Sequence, residues 1–350
     1  MDRRSLLLAA PALALARQAS ALPPAKLEFP RDHGAHPAFR TEWWYITGQA
    51  RSGEREFGFQ VTFFRSRVDG TQSMRSRFAA KQLVFAHAAL TDVSGRKLWH
   101  DQRIAREGFE VALALEGDTR VRLHDWSLQR QASGTYAASI PAGDFALELQ
   151  CAPTQPLLLQ GRDGLSRKGP LPQEASYYYS QPQLAVSGAL TLQRQRFAVA
   201  GKAWLDHEWS EELLDPQAVG WDWLGMNLDD GSALTAFRLR KADGSALWDG
   251  GSFRAAQGST YISSPGESVF SPQRRWTSPL SGAVYPVEWI VRTPADFYTV
   301  KAVVDNQELD SRASTGSIYW EGLSDLFDGN GKRVGRGYLE MTGYSQRMRL

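Results

Sequence analysis

Apolar and polar residues alternate with a period of two along most of the chain. Phe57, Phe59, Val61 and Phe63 share one face of a predicted strand, with Glu56, Gln60 and Thr62 on the other. Phe109, Val111, Leu113 and Leu115 repeat the pattern, and Phe197, Val199, Gly201, Ala203, Leu205, His207 and Trp209 extend it. Turn pairs separate these runs: Ser52-Gly53, Ser94-Gly95, Gly117-Asp118, Asp230-Gly231 and Asp243-Gly244. Amphipathic helix is scarce, with a single turn expected over Ser324 to Phe327. The pattern predicts an all-β protein built as barrels or sandwiches, and a barrel has the advantage of closing its own edges. EELLDPQA breaks the alternation and sets a predicted boundary near Ser210 to Val219. The stretch from Gln160 to Gln183 reads as a long loop, and long ordered loops are usually functional.

Four clusters on this frame carry candidate chemistry. In DHGAHPAFRTEWWYITG, a strand over EWWYITG puts Glu42, Trp44 and Ile46 on one face and Trp43, Tyr45 and Thr47 on the other. A carboxylate against indoles is costly when charged and a proton donor when neutral, so Glu42 is a candidate acid. In AWLDHEWS, Asp206 and Glu208 share a face with Trp204, and His207 and Trp209 share the opposite face with Leu205. Such a row of titratable groups fits a strand buried on both faces, as between two barrels. GRDGLSRKGP and ASYYYSQP supply Arg167, Lys168 and a tyrosine triplet that includes Tyr178, suited to the mouth of a pocket. YWEG and RGYLEMTGY set Glu321 and Glu340 beside aromatics, an echo of the Glu42 context that hints at a degenerate second copy of the same barrel.

Composition narrows the field. Lys and Arg total 40 against 38 Asp and Glu, and the aromatics are not interleaved with a basic stripe, so nucleic acid is not an expected partner. A metal site from His33, His36 and Glu42 lacks a fixed third ligand, and no metal or other cofactor is expected. No G-x-S-x-G elbow occurs, and GNGKRVGRG fits a hairpin turn better than a nucleotide loop. The single cysteine, Cys151, alternates with Leu147 and Leu149 and is expected to face a core. At the start, Arg3 and Arg4, an apolar run from Leu6 to Ala16 and Ala19-Ser20-Ala21 read as a signal peptide over residues 1–21, of the general or twin-arginine type, with Leu22 as the mature start. The expected location is periplasmic or secreted.

The EWWY and WLDHEW stretches, with GLSRKG, ASYYYSQP, YWEG and GRGYLEMTGY, resemble the AttH-like and carotenoid 1,2-hydratase family over most of the mature chain. The resemblance implies two lipocalin-like β-barrels side by side, here residues 22–210 and 211–350. Characterised members of the family hydrate isolated alkenes in carotenoids, fungal relatives hydrate prenyl groups, and many members are unassigned secreted proteins, often encoded beside ABC-transporter permeases. The family's acid and aromatic positions correspond to Asp206, His207 and Trp209, with Glu42 less directly. Together these readings give an expected catalytic set of Asp206, His207 and Glu42, with Trp44, Tyr45, Trp204, Trp209 and Tyr178 lining an apolar ligand site. The expected function is acid–base hydration of a C=C bond in an isoprenoid or lipid-like molecule, a membrane serving only as a peripheral source of that molecule. The alternative is a non-catalytic carrier, or an accessory protein of an ABC transporter.

Overall fold

The computed structural model describes residues 21–24, 26–211 and 214–348, so the expected signal peptide lies almost wholly outside the described residues. Regular structure among the described residues is β-strand apart from single 3-10 turns at Arg31–His33 and Asp69–Thr71. No helix among them is long and apolar enough to cross a membrane.

Two large antiparallel sheets account for the fold. The first is a meander of Thr41–Ser52, Arg55–Arg67, Gln82–Asp92 and Lys97–Arg106, joined through Gln195–Ser210 and Ala175–Leu192 to a run of shorter strands that ends at Ala112–Ala114. The sheet curls until its ends approach. The Arg103 guanidinium, from one end, lies 4.6 Å from the centre of the Trp126 ring at the other, and Glu107 accepts a hydrogen bond from the backbone of Ala114. The second sheet repeats the connectivity with Ala218–Leu228, Ala233–Lys241, Ala246–Arg254 and Thr260–Ile262, and again the first strand pairs with the last, Arg333–Met341. The chain therefore folds as two lipocalin-like antiparallel barrels in contact along their flanks. The strands of the first sheet end at Ser210, and those of the second begin at Ala218.

Period-two alternation explains how the barrels hold together. Inward residues of the first fill its core, among them Trp44, Phe57, Phe63, Leu205 and Trp209, and inward residues of the second do the same around Trp289 and Trp320. Outward residues where the barrels meet form a third apolar cluster with Tyr45, Trp204, Trp223 and Tyr338. Each such side chain fully removed from water contributes roughly 1.5–3 kcal/mol. As a result, every residue from Ala203 to Ser210 is buried, on alternating sides. Polar bonds also cross the seam. Asn227 donates to the Ala203 carbonyl at 3.0 Å, Thr91 donates to Gln307 at 2.9 Å, and His87 lies 2.9 Å from the Tyr319 hydroxyl.

Three local expectations need correction. Ser324 to Phe327 is not a helical turn but the end of the strand Ser317–Phe327, whose opposite faces bury Leu323 in the seam and Leu326 in the second core. Residues 160–183 are not a free loop. Short strands Leu158–Leu159 and Leu165–Arg167 pair with Ala175–Leu192, and the tyrosine triplet belongs to that long strand. A bulge between Gln181 and Leu184 then bends it, and Gln183 reaches the second barrel to donate to the Leu228 and Ser232 carbonyls at 2.9 Å. The Phe109–Leu115 run is strand only over Ala112–Ala114, since Phe109 and Glu110 adopt positive φ values of 55° and 58° and end the pleat. Cys151 sits in the first core, where burial pushes its thiol up to about 12.

Candidate active site between the barrels

A cavity of about 340 Å³ opens where the outer faces of the two sheets meet. Trp43, Tyr45, Tyr178, Asp206 and Glu208 line it from the first barrel, and Trp221, Trp223, Phe237, Glu321 and Glu340 from the second. The register sets the first wall. Tyr45 and Ser180 flank Asp206 on adjacent strands, and Trp43 and Tyr178 flank Glu208.

Asp206 is the central acid. Its Oδ1 accepts hydrogen bonds from Ser180 Oγ at 2.5 Å and Trp204 Nε1 at 2.7 Å. Burial outweighs those donors and that of Tyr178, and raises the carboxyl to about 7. Glu208, two residues on, has a different environment: the Lys168 ammonium stands 3.0 Å from its Oε1. Lys168 also lies 4.6 Å from the Tyr178 ring centre and 4.5 Å from that of Phe237. One carboxyl on this strand thus holds its proton far above the usual carboxylate range, while its neighbour has a counter-ion.

The opposite wall carries an acid pair. Glu321 and Glu340 face each other directly in register. Burial, only partly offset by Trp221, pushes Glu340 up to about 7, with the Asp206 and Glu208 charges adding to it. Burial and the Glu340 charge push Glu321 well above the ordinary carboxyl range. The neighbouring hydroxyls of Tyr45 and Tyr319 offset that rise only in part. These two acids were visible in the sequence only as a short echo. Locating them at a site needs the pairing of Ser317–Phe327 with Arg333–Met341, which alternation within one strand does not give.

Glu42 and His207 belong to a separate network inside the first barrel. His207 Nε2 lies 2.9 Å and His36 Nδ1 2.7 Å from Glu42 Oε1, and Arg65 Nε donates to Oε2 at 2.8 Å. Burial alone would raise the Glu42 carboxyl, but the hydrogen bonds and charges of His207 and His36 prevail and hold it well below its usual range. Glu42 is therefore a buried anion and not the neutral donor that its aromatic neighbours suggest. Trp44 stacks on His207 with ring centres 4.7 Å apart, and Trp209 stacks on His36 at 3.8 Å.

The sequence-predicted set accordingly divides. Asp206, Tyr45 and Tyr178 line the cavity, with Trp204 behind Asp206 as its hydrogen-bond donor. His207, Trp44 and Trp209 point into the first core, and the Glu42 carboxylate is spent on the inner network although the residue borders the cavity. Adjacent residues on one strand cannot share a face, so His207 does not meet Asp206 in one pocket. The metal-type grouping also changes membership. His36, Glu42 and His207 bring one ligand atom each within 4.8 Å, whereas His33 turns to Tyr179 Oη at 2.8 Å. Both Glu42 oxygens already accept from the backbone of His36, Oε2 also from Arg65, which closes this grouping as an ion-pair network.

Fold and cavity define a double lipocalin-like protein with an acid-lined apolar chamber between its barrels. The AttH-like family model matches residues 20–344, and the chain belongs to that family. It is 48% identical to a candidate AttH from Nitrosomonas europaea, covering 93% of this chain and 99% of that one, with a TM-score of 0.86. Kievitone hydratase from Nectria haematococca shares the fold at 12% identity and a TM-score of 0.72, covering 92% of this chain and 94% of the hydratase. CghA in complex with Sch210972 is similar at 14% identity and a TM-score of 0.51, covering 86% of this chain and 87% of CghA. No curated protein matches the sequence.

Proposed function

We propose that the chamber binds an apolar isoprenoid or lipid-like molecule and hydrates one of its carbon–carbon double bonds, with Asp206 as proton donor. The observation that carries this reading is a carboxyl raised to about 7 by burial in an aromatic cavity. An isolated alkene must accept a proton on carbon before water can add, which needs an acid that keeps its proton beside an apolar substrate. Protonation by Asp206 breaks its O–H bond and the alkene π bond, forms a C–H bond and leaves a carbocation. Indole and phenol faces of Trp43, Trp223 and Tyr45 stabilise that charge by roughly 0.5–2 kcal/mol each. Water adds to the cation, and the proton it sheds restores the Asp206 carboxyl. The fold likeness to kievitone hydratase supports this choice among acid-catalysed reactions.

The same reading makes the chain an exported protein trimmed to Leu22, acting in the periplasm or outside the cell and drawing its ligand from a membrane or an ABC transporter. Leu22 packs on the first core, and the Pro23 carbonyl accepts from Tyr177 Oη at 2.6 Å, so the proposed mature start is anchored on the barrel. N-terminal sequencing of the exported protein should read from Leu22; recovery of Met1 in the cytosol would overturn export.

The catalytic test is Asp206→Asn, which keeps the shape and removes the acidic proton. Turnover of a prenylated alkene should fall about 10²–10⁴-fold with little change in ligand affinity. An unchanged rate, or no alkene consumed by the native protein, would leave the chamber as a carrier site.

A further inference from the structure

One end of the first barrel carries an apolar and basic tip that the chamber chemistry does not use. Residues 68–81 join Arg55–Arg67 to Gln82–Asp92, and positions 73–78 are all exposed. Phe78 is 65% exposed, the highest value of any large apolar side chain among the described residues, and Met74 is 50% exposed. Phe109, from the turn after Lys97–Arg106, joins them, its ring stacked on that of Phe78 with centres 5.4 Å apart. Phe109 and Glu110 hold positive φ values, an unfavourable backbone for such residues, and the Phe109 ring still meets water. The tip is fastened in place. Thr71 Oγ1 donates to the Ala80 carbonyl at 2.7 Å, Gln72 Nε2 to that of Lys81 at 2.7 Å and Arg106 to that of Phe78 at 2.6 Å. Single exposed apolar residues are ordinary on a protein surface, but a fixed group of three marks a contact site.

The charge around the group says what covers it. Arg77 and Arg106 stand over both phenyl rings, Arg106 at 4.3 Å from the Phe109 centre. Arg75, Arg77 and Lys81 line a hollow of about 370 Å³ beside the rings, where Glu107 is the one acid among the described lining residues. Asp69 is spent on Arg67, and among the described residues no carboxylate lies within ion-pair distance of Arg75, Arg77, Lys81 or Arg106. With the exposed Glu110 included, the tip sets these four cations against two acids. Exposed rings flanked by unpaired cations match the layering of a phospholipid surface, where phosphates lie just outside the acyl chains. Position adds to the match. Ser66, Leu83 and Ile104 line the chamber at these same strand ends, Leu83 lies opposite Arg106 on the neighbouring strand, and Ile104 is 41% exposed. We propose that the tip docks on an anionic phospholipid membrane, with Met74, Phe78 and Phe109 inserted at the acyl boundary and Arg75, Arg77, Lys81 and Arg106 on the phosphates, which sets the chamber rim against the lipid. The docking supplies the membrane contact that the proposed function calls for, and it stands without the hydration chemistry.

The test is flotation of the full mature chain with protein-free vesicles. Phosphatidylcholine vesicles holding about one third phosphatidylglycerol should bind at least about tenfold more tightly than pure phosphatidylcholine, and the preference should vanish at about 0.5 M salt. Phe78→Ser should weaken binding about tenfold. Arg75→Gln and Arg77→Gln should each weaken it roughly fivefold. All three side chains project into water, so thermal unfolding should match that of the wild type. Phe297→Ser, which removes a phenyl 58% exposed on the second barrel, is the control and should change nothing. Binding to neither vesicle, equal binding to both, binding that the tip variants leave intact, or an equal loss with Phe297→Ser overturns the proposal. Binding to native membranes that protease treatment abolishes, with protein-free vesicles left unbound, would put a protein on the tip and overturn it too. A solution dimer that Phe78→Ser breaks, again without vesicle binding, would make a second copy the occupant. Vesicle binding with no alkene consumed would sustain the docking and remove the hydratase reading. Alkene hydration without vesicle binding would do the reverse.

Discussion

Glu42 and Arg65 stand directly opposite each other on adjacent strands and form an ion pair of 2.8 Å with both side chains almost fully removed from solvent. The expense of burying the two charges is offset only while both are present and hydrogen-bonded. Glu42→Gln leaves the guanidinium uncompensated and should destabilise the fold by about 3–5 kcal/mol. The Glu42 carboxyl is held below its usual range, so its contribution is present above the unfolded value near 4.5 and is lost as the pH falls toward the folded value. Melting curves from pH 3 to 8 should show the wild type losing its lead over the variant at the acid end. Equal stability at pH 7 would remove the ion pair from the account.

Asp206 has the opposite sign. Its carboxyl is raised from 3.8 to about 7, so the folded protein prefers it protonated. That stability is complete below the unfolded value and is lost as the pH climbs to about 7. Asp206→Asn should therefore be more stable than the wild type at pH 8, by up to on the order of 4 kcal/mol, and indistinguishable from it near pH 4. A variant less stable at pH 8 would mean that the carboxylate is paired in the fold, and that Asp206 is no acid at neutral pH.

His207 separates the two faces of its strand. Because its ring lies in the inner network, His207→Gln should cost about 1–3 kcal/mol of stability through Glu42 and leave ligand affinity within roughly twofold. Titration of an apolar ligand by tryptophan fluorescence, beside a denaturant melt, reads both quantities. A large loss of affinity with unchanged stability would put the imidazole in the chamber.

Gly58 is a contact point between the barrels. A Cβ there would sit 2.8 Å from Tyr338 Oη and 3.0 Å from Leu323 Cβ, both on the second barrel. Gly58→Ala should cost about 1–3 kcal/mol by overpacking and weaken ligand binding as the walls part. Urea unfolding would reveal the cost, and a neutral substitution would show that the seam yields freely.

Alternation made the all-β class, the strand faces around Glu42 and Asp206 and the inward thiol of Cys151 legible in the sequence, because a period-two pattern is set by one strand alone. It could not say which face of AWLDHEWS lines the chamber, since both are buried and the pattern is symmetric between them. It misjudged Glu42, whose partners Arg65 and His207 lie on the neighbouring strands: a carboxylate among indoles reads as neutral until its cations are found. Glu321 and Glu340 were legible as acids beside aromatics but not as a facing pair, being a pair only across a ladder. Residues 160–183 looked like a loop because their pairing is spread over short strands of two and three residues.

The double-sided strand from Ala203 to Ser210 gives its residues a parity. The even positions Asp206 and Glu208 line the chamber, with Trp204 packed in the seam behind them; the odd ones, from Ala203 to Trp209, face the first barrel's core. Mutational drift at 206 and 208 can therefore change the chamber wall without revisiting the core packing set by the odd positions. A library randomised at 206 and 208 alone would vary the acids of the chamber while keeping the Trp204 contact that holds the seam.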